Sequence, residues 1–405
     1  MENLYQAVKD YIEDHRSEML AMWKDFAETP SQARDREAAT KMADKLVELL
    51  KGMDMQVNEY DVGPVNSRLI EAVWGADRPG QPILFGGHYD TVNSSPVENP
   101  VPGSDNEFDG TPHFRMDDQG RAFGLGVLDM KGGIVISIYV VKALAAIGYE
   151  DRPIKLIFCG DEEIGHPKST AGQIFMDESK GAACAFNMET GLIDNSLCVG
   201  RKTANNYTVE VTGVESHAGN DFESGRSAIA EACRKVTDIQ ALTDLSKGTT
   251  VNTGTIQGGT VPNAVPGYCK FVVNARFESY EELDRVNKAV VEICERTYID
   301  GTHTTVDYHK KAFPIFECTE GVMDFWNFSA KIAERYGFEK LGHKKLGGGS
   351  DASGICAVGT PVICSYGVRG EHNHTDREYA LVETLFERTK LIAAVIKDLA
   401  EYKNA

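Results

Sequence analysis

Short apolar segments of this chain repeatedly end at a glycine and are followed by a carboxylate or a histidine. The clearest segment covers residues 154–159, is typical of a buried strand, and leads into Gly-Asp-Glu-Glu-Ile-Gly at 160–165. Because side chains alternate between the two faces of a strand, adjacent carboxylates at its end point to opposite sides. We therefore expect one of Glu162 and Glu163 to face a metal ion and the other to face the substrate.

Helix-like and strand-like patterns alternate through the first half of the chain. Helical spacing of apolar residues covers 4–26 and 34–52, and a long apolar helix begins at Ile134. Strand-like segments cover residues 55–62, 69–74, 83–85 and 182–186. This alternation predicts an α/β fold with a mostly parallel sheet between helices. Functional sites of such sheets form at the carboxyl ends of the strands, where His88, Glu163 and Glu189 lie.

The pattern changes near residue 202. From there the order is strand, helix, strand, strand, helix, strand, with these elements at 207–211, 225–242, 251–256, 269–277, 281–296 and 304–309. That order predicts a ferredoxin-like α+β unit. The first pattern resumes after residue 313 with a helix at 323–336, a strand at 361–364 and a terminal helix at 378–402. We therefore predict a catalytic domain in two parts, 1–201 and 314–405, with a domain inserted at 202–313.

Residues 93–119 are polar and rich in Pro, Gly, Asn and Asp. Their composition predicts a long surface loop or ribbon near the mouth of the site built by His88 and Asp90. The glycines at 124–133 resemble a dinucleotide fingerprint only weakly, because no strand plainly precedes them and their spacing does not fit. A tight turn that places Asp129 at the approach to a helix is the better interpretation.

Charge and cysteine content limit the partners and the compartment. The 405-residue chain has 42 basic and 61 acidic residues, a net charge of −19, which disfavours nucleic acid and anionic membranes as partners. The apolar run at 134–147 is interrupted by Lys142 and is too short to span a bilayer, and the N-terminus lacks the pattern of a signal peptide. Nine cysteines without a Cys-x-x-Cys pair predict reduced thiols and a cytoplasmic protein.

Five side chains of metal-ligand type each follow a strand or a glycine turn: His88, Asp129, Glu163, Glu189 and His374. Two imidazoles and three carboxylates suit two divalent cations that share one carboxylate, since three ligands per ion leave room for a bridging water. A pair of cations lowers the pKa of that water and polarises a carbonyl oxygen. The set therefore suits a dinuclear metal centre that activates water.

Six motifs occur in order along nearly the whole chain. They are Gly-Gly-His-Tyr-Asp-Thr-Val, Gly-x-Gly-x-x-Asp-Met-Lys-Gly-Gly, Gly-Asp-Glu-Glu-Ile-Gly, Met-Glu-Thr-Gly, Ser-His-Ala-Gly and His-Thr-x-x-Glu. In these motifs the chain resembles the di-zinc metallopeptidases and deacylases that include glutamate carboxypeptidases, aminoacylases, acetylornithine deacetylases and succinyl-diaminopimelate desuccinylases. The resemblance implies a zinc exopeptidase-like fold with an inserted lid or dimerisation domain, and a homodimer.

The resemblance also implies roles for the matched residues. His88, Asp129 and Glu189 would bind one Zn²⁺, and Asp129, Glu163 and His374 the other, with Co²⁺ or Mn²⁺ as possible substitutes. Glu162 would be the general base that deprotonates the metal-bridging water and later protonates the leaving amine. Asp90 would hydrogen-bond the imidazole of His88 and fix its tautomer.

The inserted domain would supply the remaining groups. By resemblance, His217 would reach across from the partner subunit and stabilise the oxyanion. Asn263 and Arg276 would bind a substrate carboxylate, although Arg276 is equally consistent with a strand arginine that faces water. The glycine-rich turn around Gly348, Gly349 and Ser350 would offer backbone N–H groups to the same carboxylate.

Some choices stay open at this point. His372 is a reserve ligand two residues before His374, and motif matching favours His374. With Glu189 rather than Asp at the non-bridging ligand position, the chain resembles the carboxypeptidase and deacylase branch more than the aminopeptidase branch. The leading prediction is a hydrolase of amides whose leaving amine is an amino acid with a free carboxylate. An aminoacylase or deacetylase of small N-acyl amino acids is the alternative among enzymes, and a catalytically inactive binding protein on the same fold is the alternative outside them.

Overall fold

The computed structural model describes residues 2–64, 67–92, 114–310 and 313–402. The chain divides into two compact units. The larger unit consists of Met1–Gly200, Cys318–Lys345 and Ser350–Ala405, and the smaller unit of Arg201–Glu317 and Leu346–Gly349.

Helices surround a six-stranded sheet in the larger unit. Its helices are Glu2–Asp14, Arg16–Glu28, Arg36–Gly52, Gly132–Ala146, Ala171–Ser179, Glu320–Arg335, Ala352–Ala357 and Val382–Lys397. The strands of the sheet, in spatial order, are Gln56–Tyr60, Leu69–Trp74, Ile154–Cys159, Ile83–His88, Cys184–Asn187 and Val362–Ile363. The predicted class, an α/β fold with an inserted α+β domain, is confirmed.

The sheet is parallel at its centre and antiparallel at one edge. Ile83–His88 pairs in parallel with Ile154–Cys159 and with Cys184–Asn187, so the carboxyl ends of these strands meet at one edge of the sheet. Leu69–Trp74 pairs antiparallel with Ile154–Cys159 and with Gln56–Tyr60. The parallel strands are almost wholly buried because helices cover both faces.

A second sheet of very short strands was not predicted. Its strands, in spatial order, are Arg115–Met116, Arg121–Phe123, Tyr379–Leu381, Arg369–Glu371 and Gly191–Leu192. Arg115–Met116 lies at the end of the polar segment 93–119 and pairs with Arg121–Phe123, so that end forms a ribbon, one of the two forms predicted. Residues 93–113 lie outside the described part of the chain. Strands Ser196–Arg201 and Gly342–Leu346 form a further two-stranded sheet.

The apolar helix that begins near Ile134 is buried, as predicted. In Gly132–Ala146, twelve of the fifteen residues are buried, which is why the helix shows little amphipathic character. Residues 4–26, which were predicted to form one helix, belong to two helices that are separated by His15. No helix among the described residues combines the length and the apolar character that a membrane span requires.

The smaller unit has its own sheet and its own core. Strands Thr250–Gly258, Tyr268–Phe277, Thr203–Thr212 and His303–Lys310 form an antiparallel sheet in that order, and helices Ala228–Gln240 and Tyr280–Glu295 pack on it. Ser227 and Ser279 cap the two helices by accepting the N–H groups of Ala230 and Glu282. Ser216–His217 and Ala264–Val265 form a separate antiparallel ribbon in the same unit. Strand order and connections are those of a ferredoxin-like fold.

Candidate metal centre and active site

The carboxyl ends of three parallel strands bring the predicted ligands together. His88 ends one strand, Glu163 follows the second by four residues, and Glu189 follows the third by two. Asp129 lies in the turn Val127–Lys131, which leads into the buried helix, and His374 lies between two strands of the second sheet.

The first group of ligand atoms is buried. His88 Nε2 lies 3.2 Å from Asp129 Oδ1 and 3.7 Å from Glu189 Oε1. The three side chains form one of the described clusters whose donor atoms are close enough together to hold one metal ion.

The second group shares Asp129 with the first. His374 Nε2 lies 3.2 Å from Asp129 Oδ2 and 3.0 Å from Glu163 Oε2. Asp129 therefore presents one carboxylate oxygen to each imidazole, which is the geometry of a ligand that bridges two cations. The side chain of His374 is 53% exposed, whereas that of Glu163 is 3% exposed, so His374 lies on the open side of the group.

The charges of the site fit a cation. Burial and then the negative charge of Glu189 raise the pKa of Glu162 well above its usual range. Burial and then the charge of Asp129 raise the pKa of Glu163. In the described part of the chain, Glu163 Oε1 is buried without a hydrogen-bond partner. Buried carboxylates in excess over imidazoles, with an orphaned oxygen among them, are the donors that a divalent cation with nitrogen and oxygen ligands requires.

Both imidazoles are positioned for such a cation. Hydrogen bonds to Asp129 and then to Glu163 raise the pKa of His374 to about 11. Burial opposes protonation of His88, but its hydrogen bonds to Asp129 and Asp90 outweigh burial and raise its pKa. The Nε2 atom of each ring faces these carboxylates and is therefore the atom that would bind a metal ion.

Glu378 holds the turn that carries Asp129, a role that our sequence interpretation missed. Its buried carboxylate accepts the N–H groups of Gly126, Leu128 and Asp129 at 3.2, 2.8 and 3.0 Å. Burial, followed by the charge of Asp129, raises the pKa of Glu378 to about 8. The glutamate of the His-Thr-x-x-Glu motif was the available signal, but its partner is 249 residues away in sequence.

Asp90 holds two parts of the site. The nearest partner of His88 Nδ1 is the Asp90 carbonyl oxygen at 2.9 Å, and the Asp90 carboxylate is farther away at 3.4 Å. That carboxylate accepts the N–H groups of Glu162 and Glu163 at 3.3 and 3.0 Å. Asp90 thus orients the imidazole mainly through its backbone and the two glutamates through its side chain.

Glu162 borders the ligand groups without belonging to either. Its Oε2 lies 4.0 Å from His88 Nε2, and the residue is 9% exposed. A carboxylate in this place would lie close to a water molecule held between the two groups, and it still has access to solvent.

The structure brings His374 rather than His372 to the ligands. His372 instead packs against the ring of Tyr379, with 6.0 Å between centroids. Between the two histidines, Asn373 donates from Nδ2 to Asp129 Oδ2 at 2.8 Å, a contact that the sequence did not indicate.

His217 and Asn263 lie together in the smaller unit. The Ala218 N–H donates to the Asn263 carbonyl at 2.9 Å across the ribbon. His217 Nδ1 accepts the N–H groups of Gly219 and Asn220, both at 3.1 Å. Because Nδ1 is an acceptor, the ring proton is assigned to Nε2, which makes the exposed end of the imidazole a hydrogen-bond donor.

Two arginines of the smaller unit contact the glycine-rich turn. Arg276 Nη1 lies 3.4 Å from the Gly347 carbonyl. Arg201, which the sequence did not single out, is buried and donates from Nη1 to the carbonyls of Gly348 and Gly349 at 3.4 and 3.3 Å. Ser350 belongs to the larger unit, where its buried Oγ lies 3.4 Å from Asn187 Nδ2.

Comparison with known proteins finds similar peptidases and deacylases. The family model of a peptidase dimerisation domain matches residues 199–302, which fall almost entirely in the smaller unit. Carboxypeptidase G2 of Pseudomonas sp. strain RS-16 is 27% identical over 329 residues, which cover 80% of this chain and 76% of that protein. Acetylornithine deacetylase of Myxococcus xanthus is 33% identical over 189 residues, 43% of this chain and 47% of that protein.

A solved structure has the same fold over almost the whole chain. Aminopeptidase PepT of Bacillus cereus matches with a TM-score of 0.79 and 22% identity, covering 95% of this chain and 99% of that one. Fold, ligand groups and relatives together define a metal-dependent hydrolase of amide bonds. The chain contains an M20 peptidase dimerisation domain, and its relatives and structural neighbours include M20 metallopeptidases and related amidohydrolases.

Proposed function

We propose that this chain is a dinuclear hydrolase that releases an amino acid with a free carboxylate from an N-acyl or N-peptidyl substrate. The observation that carries the proposal is that the two carboxylate oxygens of Asp129 contact different imidazoles. Oδ1 and Oδ2 each lie 3.2 Å from a different histidine ring. In this proposal His88, Asp129 and Glu189 hold one cation, and Asp129, Glu163 and His374 hold the other. Zn²⁺ is the proposed metal, because imidazole nitrogens and carboxylate oxygens in sets of three suit it.

Two cations held there would make a water molecule acidic near neutral pH and would polarise the scissile carbonyl. Glu162 takes the proton of that water on its carboxylate and passes it to the nitrogen of the leaving amine. Asp90 keeps the base in place through the N–H groups of Glu162 and Glu163. The carboxylate of Glu162 thus holds the proton between the two halves of the reaction.

The smaller unit is proposed to supply the groups that recognise the substrate. His217, as an Nε2–H donor, suits the developing oxyanion. Arg276 and Asn263 are the proposed ligands of the free carboxylate, together with the backbone of Gly348, Gly349 and Ser350. The family match to a dimerisation domain supports a homodimer in which His217 serves the partner subunit.

Relatives support two substrate classes. Similarity to carboxypeptidase G2 over 80% of the chain favours a carboxypeptidase, and this is the leading proposal. Similarity to an acetylornithine deacetylase over 43% of the chain favours the alternative, a deacylase of small N-acyl amino acids.

A substrate panel separates these possibilities. The full-length chain, loaded with Zn²⁺, Co²⁺ or Mn²⁺, is assayed against N-acyl-glutamates, dipeptides and N-acetyl amino acids. The carboxypeptidase proposal expects the best kcat/KM on substrates with a C-terminal amino acid and a large acyl group. A preference for N-acetyl amino acids would favour the deacylase. No cleavage with any of the three metals would contradict both and favour an inactive binding protein.

A further inference from the structure

A second buried group of polar side chains lies beside the loop that carries Glu162 and Glu163. It consists of Cys159, Asp161, His166 and Asp351, all in the larger unit. His166 Nδ1 lies 2.8 Å from Asp161 Oδ1, and its Nε2 lies 2.8 Å from Asp351 Oδ1. Cys159 Sγ lies 3.3 Å from the other oxygen of Asp351. The proposed reaction uses none of these four side chains.

His166 closes the loop 161–166 in two ways. Its backbone N–H donates to the Asp161 carbonyl at 3.0 Å, while its ring contacts the carboxylate of the same residue. Within the loop, the Gly165 N–H donates to the Glu162 carbonyl at 2.7 Å. The φ angle of His166 is +51°, in the left-handed region that residues other than glycine adopt infrequently. The two contacts of the ring offset the cost of that backbone conformation.

The ring also ties the loop to a different part of the unit. Asp351 stands at the start of the helix Ala352–Ala357, 185 residues after His166. Each ring nitrogen faces a carboxylate oxygen, so one rigid planar side chain, only 5% exposed, joins two buried carboxylates at fixed separation. A flexible side chain would not fix that separation.

We infer that His166 is a positioning residue. By joining Asp161 to Asp351 it holds the loop in the conformation that presents Glu162 to the substrate water and Glu163 to one of the two cations. This inference rests on the proposed dinuclear function. It implies that loss of His166 weakens one of the two cation sites more than the other, because only Glu163 among the proposed ligands lies on this loop. The group of His88, Asp129 and Glu189 takes no ligand from it.

The test measures the two metal affinities separately. Metal-stripped full-length chain is titrated with Zn²⁺ by calorimetry, for the wild type and for His166→Ala. We expect one affinity to fall by about 10- to 100-fold, as is typical when the hydrogen-bond partners behind a ligand are removed, and the other to change by less than about 2-fold. Turnover is expected to fall by a similar factor with KM nearly unchanged. Added imidazole should restore part of both losses.

Two further variants serve as controls. His166→Gln retains an N–H donor for only one of the two carboxylates, is expected to give an intermediate loss, and replaces His166→Ala if that variant does not fold. His343→Ala removes an exposed histidine of the same unit that packs on Trp326, and it should leave both affinities unchanged.

Three results would overturn the inference. The first is two unchanged affinities in His166→Ala, and the second is equal weakening of both, which a general loss of stability would cause. The third is a third metal per chain with a thiolate-to-cobalt absorption band that Cys159→Ser abolishes, since Cys159, His166 and Asp351 would then be ligands themselves. A wild type that binds no metal would instead remove the proposed function, and this inference with it.

Discussion

Asp129 and Glu162 divide the chemistry at the scale of single residues. Asp129 is in contact with both imidazoles and gives each a different oxygen, whereas Glu162 lies beside the ligand groups and contributes to neither. The proposed roles therefore make different demands on these two carboxylates. The first must be able to bind two cations, and the second must be able to accept a proton.

Substitution Glu162→Gln separates the two roles. The amide has the shape of the carboxylate but does not accept the proton of the water. We expect both metals to remain bound and kcat to fall by about 10²- to 10⁴-fold, the range typical of general acid–base catalysis. Metal content by mass spectrometry and turnover on the best substrate of the panel check this. Retained turnover would show that another group is the base.

The three hydrogen bonds that the Glu378 carboxylate accepts lead to a second prediction. Glu378→Ala removes the acceptor from the Asp129 turn and leaves buried donors without partners. Because Asp129 is shared, we expect both metal affinities to fall by about 10- to 100-fold. This differs from the loss of one affinity expected for His166→Ala.

The same titration checks the prediction. Glu378→Gln, whose amide oxygen still accepts N–H groups, is the matched control and should lose less. Loss of only one affinity in Glu378→Ala would contradict the shared position of Asp129.

At the scale of elements, the site depends on how closely the buried helix approaches a strand end. A Cβ added at Gly133 would lie 2.1 Å from the Met188 carbonyl oxygen, one residue before Glu189. The helix Gly132–Ala146 can therefore approach this strand end only with glycine at 133. Gly126, with φ of +75°, supplies the left-handed turn that precedes Asp129.

Substitution Gly133→Ala tests this approach. Backbone must move to admit the methyl group, so we expect the free energy of unfolding to fall by about 1–3 kcal/mol. Gly52→Ala is the control, because a Cβ there meets nothing within 4 Å at the end of a helix. Its stability should be unchanged or slightly higher. Urea unfolding measures both, and equal stability of the two variants would contradict the argument.

The elements that the sequence predicted well are those whose pattern is local. The period of two in Tyr268–Phe277 and the all-apolar helix Gly132–Ala146 are visible in any short window. The second sheet was missed because strands of two or three residues, such as Arg115–Met116, are too short to have a period. The break at His15 was missed because apolar spacing continues across it.

The same distinction applies to the candidate site. Strand ends and motifs indicated the ligand-type residues, which the structure brings into two groups that share Asp129. Their supports were not predictable, because the partners are far apart in sequence: His166 meets Asp351 after 185 residues, and Glu378 meets the Asp129 turn after 249. Only folding shows which groups these residues contact.

At the scale of the whole molecule, each of the two units has a core of its own among the described residues. One core fills the larger unit, and a second, which includes Tyr207, Phe271 and Val290, fills the smaller unit. Every proposed metal ligand belongs to the larger unit. Metal binding should therefore stabilise one core and leave the other unchanged.

Tryptophan fluorescence can report on the larger unit alone. All three tryptophans, Trp23, Trp74 and Trp326, lie in it. We expect a chelator to lower the thermal midpoint measured by tryptophan fluorescence, because the folded unit loses about 2.7 kcal/mol of stabilisation if the free metal was at 100 times its Kd. Circular dichroism, which follows both units, should show a second transition whose midpoint does not move.

Asp129→Asn is the control: it removes the shared ligand charge, so its fluorescence midpoint should respond little to the chelator. A chelator that moved both transitions equally would contradict the assignment of all metal ligands to one unit, since the smaller core holds none of them.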